Sequence, residues 1–178
     1  KEIILSIGYL AEQVQHYFGD GSKWGVNITY CIEEEPLGTG GAVKKAAANI
    51  QERFLLVWGD NLADIDYTAL AKEQGKLVMT LTPREDVEHF GVAKLEDNKI
   101  ISFIEKPKRE EAPSNLINAG AFVVDPSILS MLPEGKSSIE RDCFEKLHDS
   151  TAFIHKGQWF PTDTIEKYEL ACKHFIKP

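Results

Sequence analysis

The chain has 178 residues, 43% of them apolar and 27% charged, with a formal net charge of -8, the balance of one soluble globular domain. Its Lys and Arg residues are scattered rather than clustered, so no nucleic-acid surface is indicated, and no apolar run approaches the roughly 18 residues that a membrane span needs. Cys31, Cys143 and Cys172 are odd in number and form no C-x-x-C pair, which argues against a disulfide framework or a zinc site and fits a reducing cytoplasm.

In chain order, Ile3 to Ile7 is a β-branched run that predicts a strand, and Leu10 to Phe18 carries Leu10, Val14, Tyr17 and Phe18 at helical spacing. Asn27 to Ile32 predicts a second strand. A glycine-rich loop follows, then a helix over about Gly41 to Asn49 with Ala42, Val43, Ala46 and Ala47 inward, and a strand over Phe54 to Trp58 stopped by Gly59-Asp60. This βαβαβ order implies a largely parallel sheet with helices on both faces, whose ligands bind at the carboxyl ends of the strands. Further along, Lys76 to Thr82 alternates as a strand. Val92 to Leu95 and Ile100 to Ile104 predict a hairpin turning at Asp97-Asn98, and Ala119 to Val124 a strand. Ser138 to His148 reads as a helix, Ala152 to His155 as a short strand, and Thr164 to Phe175 as a closing helix with Tyr168, Leu170, Ala171 and Phe175 inward. One domain is expected over residues 1 to 178.

Four stretches carry chemistry. In EEEPLGTGGA, Gly38, Gly40 and Gly41 let the backbone approach a ligand closely, and the first turn of the next helix offers unpaired N–H groups. The same glycines are equally compatible with a plain strand-to-helix turn capped by Thr39. The stretch is neither G-x-x-x-x-G-K-[ST] nor G-x-G-x-x-G, so neither a P-loop kinase nor a dinucleotide-binding dehydrogenase is supported. Asp60 stands at the end of an apolar strand, where its carboxylate can hold a divalent cation or merely cap a turn. In FIEKP, Glu105 and Lys106 face opposite sides unless Pro107 breaks the strand and turns both to one cleft. In INAGAF, Asn118 precedes two small residues, which leaves room for a ligand or marks a β-bulge.

EEEPLGTGGA, WGD at 58–60, FGVAKLEDNKIISFIEKP at 90–107 and INAGAF at 117–122, in this order and spacing, resemble the sugar-phosphate nucleotidyltransferases over nearly the whole chain. LGTGGA after acidic residues is most similar to the branch that makes GDP-mannose or GDP-manno-heptose. The resemblance implies a Rossmann-like, mostly parallel mixed sheet, and an enzyme joining a sugar 1-phosphate to a nucleoside triphosphate, GTP favoured, with Mg²⁺. It assigns base binding to the backbone of Leu37, Gly38, Thr39 and Gly40, with Glu34 or Glu35 accepting from guanine. It further assigns Asp60 to Mg²⁺, Gly91 to close approach of the sugar, Glu105 to sugar hydroxyls, Lys106 to the sugar phosphate and Asn118 to the sugar.

Two departures from the pattern matter. Where the family supplies a second metal carboxylate in W-x-D-x-G-T, this chain reads WFPTDT, so Asp163 takes the role, or else serves only as a partner of the last helix. The family's first strand and its G-x-G-T-R and P-K-P segments are not among these residues, so the sheet should show two internal edges and an apolar trench, covered by an upstream segment or by association, a homo-oligomer being expected. Without the family's phosphate loop this chain is expected not to turn over by itself; Lys44 and Lys45 are expected to face solvent, and only turnover by this chain would direct a search for a substitute triphosphate site to Lys44, Lys45 and Arg84. The rival reading is a noncatalytic fragment or regulatory subunit that retains sugar-nucleotide binding.

Overall fold

The computed structural model describes residues 1–176, and its elements follow the expected order with instructive shifts. Strand β1 (Glu2–Ile7), helix α1 (Ala11–Phe18) and strand β2 (Asn27–Ile32) form a β-α-β unit whose strands pair in parallel, Glu2 opposite Asn27 through Ile7 opposite Ile32. Helix α2 (Gly38–Ala46) begins three residues earlier than predicted, so the glycines form its first turn instead of a loop before it. Strand β3 (Phe54–Val57) is followed by the short strand β4 (Asn61–Ala63) and by α3 (Tyr67–Leu70), two elements without a periodic signal in so few residues.

The larger sheet comprises β3, β5 (Leu77–Pro83), β6 (Gly91–Glu96), β7 (Lys99–Glu105), β8 (Leu116–Val124) and β9 (Ser150–Ile154), in the order β3-β8-β5-β9-β7-β6, with β6 also pairing to β8. It is a mixed sheet within an α/β fold. Parallel pairing is confined to β1–β2 and β5–β9, while β3 and β5 both run antiparallel to β8 and the predicted hairpin joins β6 to β7. Asp97 makes that hairpin turn with φ 54°, a conformation Asp tolerates better than most residues. Strand β10 (Trp159–Pro161) pairs antiparallel with β4, and α5 (Ile165–His174) ends the fold.

The core lies on β5 and β8. Leu77 to Thr82 is buried throughout, and so is Ala119 to Val124, because these neighbouring central strands are covered on both faces. On one face Val43 of α2 and its C-cap Ala47 join Leu129, Ile139, Cys143 and Phe144 against Met79, Phe103 and Phe122. The helix predicted over Ser138 to His148 breaks into α4 (Ile139–Asp142) and a single 3₁₀ turn, Phe144–Lys146, because Cys143 leaves the helical region at φ -126°, ψ -61° as its side chain is buried. In α5 only Ala171 is buried; Tyr168 and Leu170, predicted inward, are exposed. Phe175 is half-buried and meets Phe160 edge-on.

The expected trench is present. No ladder bond joins β1 to β3, and a groove of about 530 Å³ runs between them, walled by Ile4, Leu5, Leu55 and Val57 and floored by Ala42 and Val43 of α2. Leu55 and Val57 point into it, 44% and 47% exposed, although they sit on a strand whose other edge is fully paired.

Candidate active site

An open cleft of about 1200 Å³ lies at one end of the large sheet. Of the residues predicted from sequence, Gly38, Thr39, Asp60, Gly91, Glu105, Lys106, Asn118 and Asp163 all line it. Glu34 and Glu35 are exposed on the turn before α2 and do not line it, and Leu37 faces a separate groove behind that helix. Gly40 is buried, and its N–H donates to Ser137 O at 2.9 Å, so this donor is already used within the protein. The carboxylate that does shape the turn is Glu33, which accepts from Leu37 N–H at 3.0 Å and Ser6 Oγ at 3.1 Å.

Gly38 opens α2 with φ 68°, and a Cβ there would overlap the carbonyl of Ser137, so both its conformation and the close approach of the 136–141 segment require glycine. Thr39 is inside the helix and does not cap it; Leu37 occupies the N-cap position without a side-chain bond.

Glu105 and Lys106 reach the same cleft by a backbone device. Strand β7 ends at Glu105, and Lys106, with φ 50°, turns out of the strand so that successive side chains no longer point to opposite faces. The Lys106 N–H is bonded to Phe90 O at 3.0 Å, which fixes the turn, and the two charged ends lie 3.9 Å apart. The Glu105 side chain is only 14% exposed, and its carboxyl is pushed above the ordinary glutamate range, first by burial and then by the negative charge of Glu140, against the opposing pull of Lys106 and Arg141. Gly91 sits opposite Glu105 across the hairpin, where a Cβ would collide with the Phe103 ring and crowd Glu105 Oε2.

Asp60 and Asp163 line the same cleft although about a hundred residues separate them. Pairing of β10 with β4 sets Pro161 opposite Asn61, and Thr162 N–H donates to Asp60 O at 2.7 Å, which brings the next residue, Asp163, to the same cleft wall. The Asp163 carboxylate accepts both 2.8 Å and 2.9 Å bonds from Lys167 Nζ, one turn along α5, and is held below the usual carboxylate range first by those bonds and also by the charges of Lys167 and Lys106. Asn118 spends its side-chain oxygen on Gly120 N–H at 2.8 Å, within an irregularity where β8 slips against Met79 and Leu81 of β5. Bulge and cleft position thus coincide, and the amide NH₂ of Asn118 remains for a ligand.

Sequence reasoning missed the far wall, which is built by Lys136, Ser137, Ser138, Glu140 and Arg141, and missed Lys167. The only local signal there was the helix start at Ser138, whose Oγ accepts from Arg141 N–H as an N-cap. Trp58 and Trp159 close the floor, the latter anchored by its indole N–H on Ala119 O at 2.9 Å and by Phe90 edge-on.

A cleft that gathers five carboxylates, on Asp60, Glu88, Glu105, Glu140 and Asp163, and the cations Lys106, Lys136, Arg141 and Lys167 at the end of an α/β sheet is suited to positioning phosphates and a polyhydroxylated partner. Residues 1–176 match the family described as Nucleotidyl transferase, and the chain belongs to that family, among the sugar-phosphate nucleotidyltransferases. Its relatives include the D-glycero-alpha-D-manno-heptose 1-phosphate guanylyltransferase of Aneurinibacillus thermoaerophilus, 35% identical over 82% of this chain and 64% of that protein. Another is the UTP--glucose-1-phosphate uridylyltransferase of Synechocystis sp., 34% identical over 84% of this chain and 44% of that protein. Among solved structures, HddC from Yersinia pseudotuberculosis superposes with a TM-score of 0.81 at 28% identity, over 98% of this chain and 79% of that one. The chain therefore spans somewhat less than half to about two thirds of the length of these two curated relatives. Among the described residues no helix is long and apolar enough to cross a membrane.

Proposed function

We propose that the protein carrying this chain joins a sugar 1-phosphate to a nucleoside triphosphate. A phosphate oxygen of the sugar 1-phosphate attacks the α-phosphorus, the new P–O bond forms as the bond to the β-phosphate bridge breaks, and pyrophosphate leaves with the electron pair. The observation that carries this reading is the turn at Lys106, which brings a largely buried carboxyl and an ammonium into the cleft that Asp60 and Asp163 also line. Glu105 accepts hydrogen bonds from hydroxyls of the sugar, Lys106 neutralises its phosphate, Asn118 donates to the ring substituents, and the Gly38–Thr39 backbone meets the base.

The donor set suits Mg²⁺, which favours carboxylate oxygens and phosphate together with retained water rather than a dedicated protein cage. Asp60 and Asp163 would hold it, Lys167 releasing Asp163, since an exposed ion pair of this kind is worth no more than about 1 kcal/mol. When bound, the ion supplies neutralisation of phosphate charge. GTP is the favoured donor, supported by the guanylyltransferase relative and by a solved HddC complex described with GMP-PN, and a mannose-type or manno-heptose-type phosphate is the favoured acceptor. We further assign the β1–β3 groove to a strand from an upstream segment, which would satisfy both free edges and bury Leu55 and Val57. Three free cysteines accord with work in a reducing compartment.

The test is pyrophosphate release by the full-length gene product with Mg²⁺, across GTP, UTP, CTP and dTTP against mannose, manno-heptose, glucose and N-acetylglucosamine 1-phosphates. Turnover with one pair at least tenfold above the rest supports the reading. Tight sugar-nucleotide binding with no turnover in any pair would favour a regulatory subunit instead.

A further inference from the structure

We propose that Glu140 is a positioning residue that acts on both substrates at once, through Thr39 on the nucleotide and through Glu105 on the sugar; this rests on the function proposed above. Glu140 is 8% exposed on the first turn of α4. Its Oε2 accepts from Thr39 Oγ1 at 2.6 Å and from Ser138 Oγ at 2.7 Å, and Thr39 Oγ1 in turn accepts from Ile139 N–H at 3.1 Å. Two backbone bonds, Gly40 N–H to Ser137 O and Ser137 N–H to Leu37 O, both 2.9 Å, complete a zipper between the base turn and the far wall. The turn assigned to the base therefore has its geometry set by residues a hundred positions away.

A tether alone does not need a charge. Among the described residues no Lys or Arg lies within ion-pair distance of Glu140, and burying a carboxylate on hydroxyl donors alone costs stability that a glutamine would not. Glu105 lines the same cleft as Glu140, and there the charge reaches it. The charged groups around Glu105 are Lys106 beside it, Arg141 and Glu140 on α4, and Glu145 on the following 3₁₀ turn, whose Oε1 accepts from Glu105 N–H at 2.9 Å. Glu140 thus adds to burial in raising the proton affinity of the carboxyl that meets the sugar, while its other bonds hold the base turn in place.

The two effects separate by substitution in the full-length protein. In E140Q the amide oxygen still accepts from Thr39 and Ser138, so KM for the nucleoside triphosphate should stay within about threefold of wild type. The Glu105 side-chain carboxyl, followed by ¹³C NMR, should titrate at lower pH, and the acid limb of kcat/KM for the sugar 1-phosphate should move the same way. In T39V the nucleotide KM should rise about tenfold, the scale of one hydrogen bond to a charged group, with the Glu105 titration unmoved. An unchanged Glu105 titration in E140Q, or an unchanged nucleotide KM in T39V, overturns the proposal. The NMR titration needs no turnover, so its outcome is independent of whether the proposed reaction is right.

Discussion

The β5–β8 centre and the β1–β2 pair are built from similarly apolar strands, yet they end in opposite states. Leu77 to Thr82 and Ala119 to Val124 are buried on both faces, whereas β1 and α1 contain no buried residue, and Tyr9, Leu10, Tyr17 and Trp24 remain exposed around them. Composition does not separate the two. Neighbours do: each central strand has a partner on both edges, while β1 has only β2 and faces the groove with its other edge. Stability is therefore concentrated in the doubly paired centre, while the β1 edge, open to the groove, contributes less.

The sharpest contrast should come from truncating one side chain in each region. Phe122, fully buried between Trp58 and Phe144, should cost about 3–5 kcal/mol as F122A in urea unfolding, and Ile4, 39% exposed on the groove, about 1 kcal/mol or less as I4A. Equal losses would mean that the β1 unit is as integral as the centre. Next in size, D60N should lower turnover on the order of 10²-fold or more, the scale for losing one fixed stabiliser of developing charge, with an unchanged melting temperature. A rate near wild type would move the metal away from Asp60. G91A should destabilise by about 1–3 kcal/mol, since its methyl group must displace Phe103 or Glu105, and should raise KM for the sugar phosphate.

The smallest effect is one of pH. Because the carboxyl of Glu105 is held above its ordinary range in the fold, the protonated form is favoured by folding; that contribution is full at pH below the ordinary glutamate value and is lost as pH rises through the raised one. E105Q, neutral at every pH, should therefore melt higher than wild type at pH 7 and lose that advantage near pH 4. An advantage that grows on acidification would contradict the assignment.

Much of this was legible in sequence for one reason: strands and motifs with dense local signal report themselves. Short apolar runs, β-branched in β1 and continuous in β3, placed β1, β2 and β3 to within a residue or two, and Pro107 after Glu-Lys correctly raised the turn that Lys106 makes. What sequence did not reveal depends on contacts between distant segments. The 136–141 wall is defined by its bonds to residues 37–40, β4 is a strand only because β10 lies beside it, and the break at Cys143 follows from burial against Ile128 and Met131. Tyr168 and Leu170 kept the spacing of an inward face, but α5 buries only Ala171 and leaves them in solvent. Glu34 and Glu35 drew notice as a charge run, while Glu33, the one with a structural bond, could not be told apart from them.

Amide hydrogen exchange of the full-length protein with and without the proposed product, GDP-mannose, tests the central claim most directly, because it reads both regions in one experiment. The account predicts new protection over residues 37–41, 105–106, 118–120 and 136–141, and none over 9–26. Protection confined to the β1-α1-β2 unit, or absent from the 136–141 wall, would contradict it.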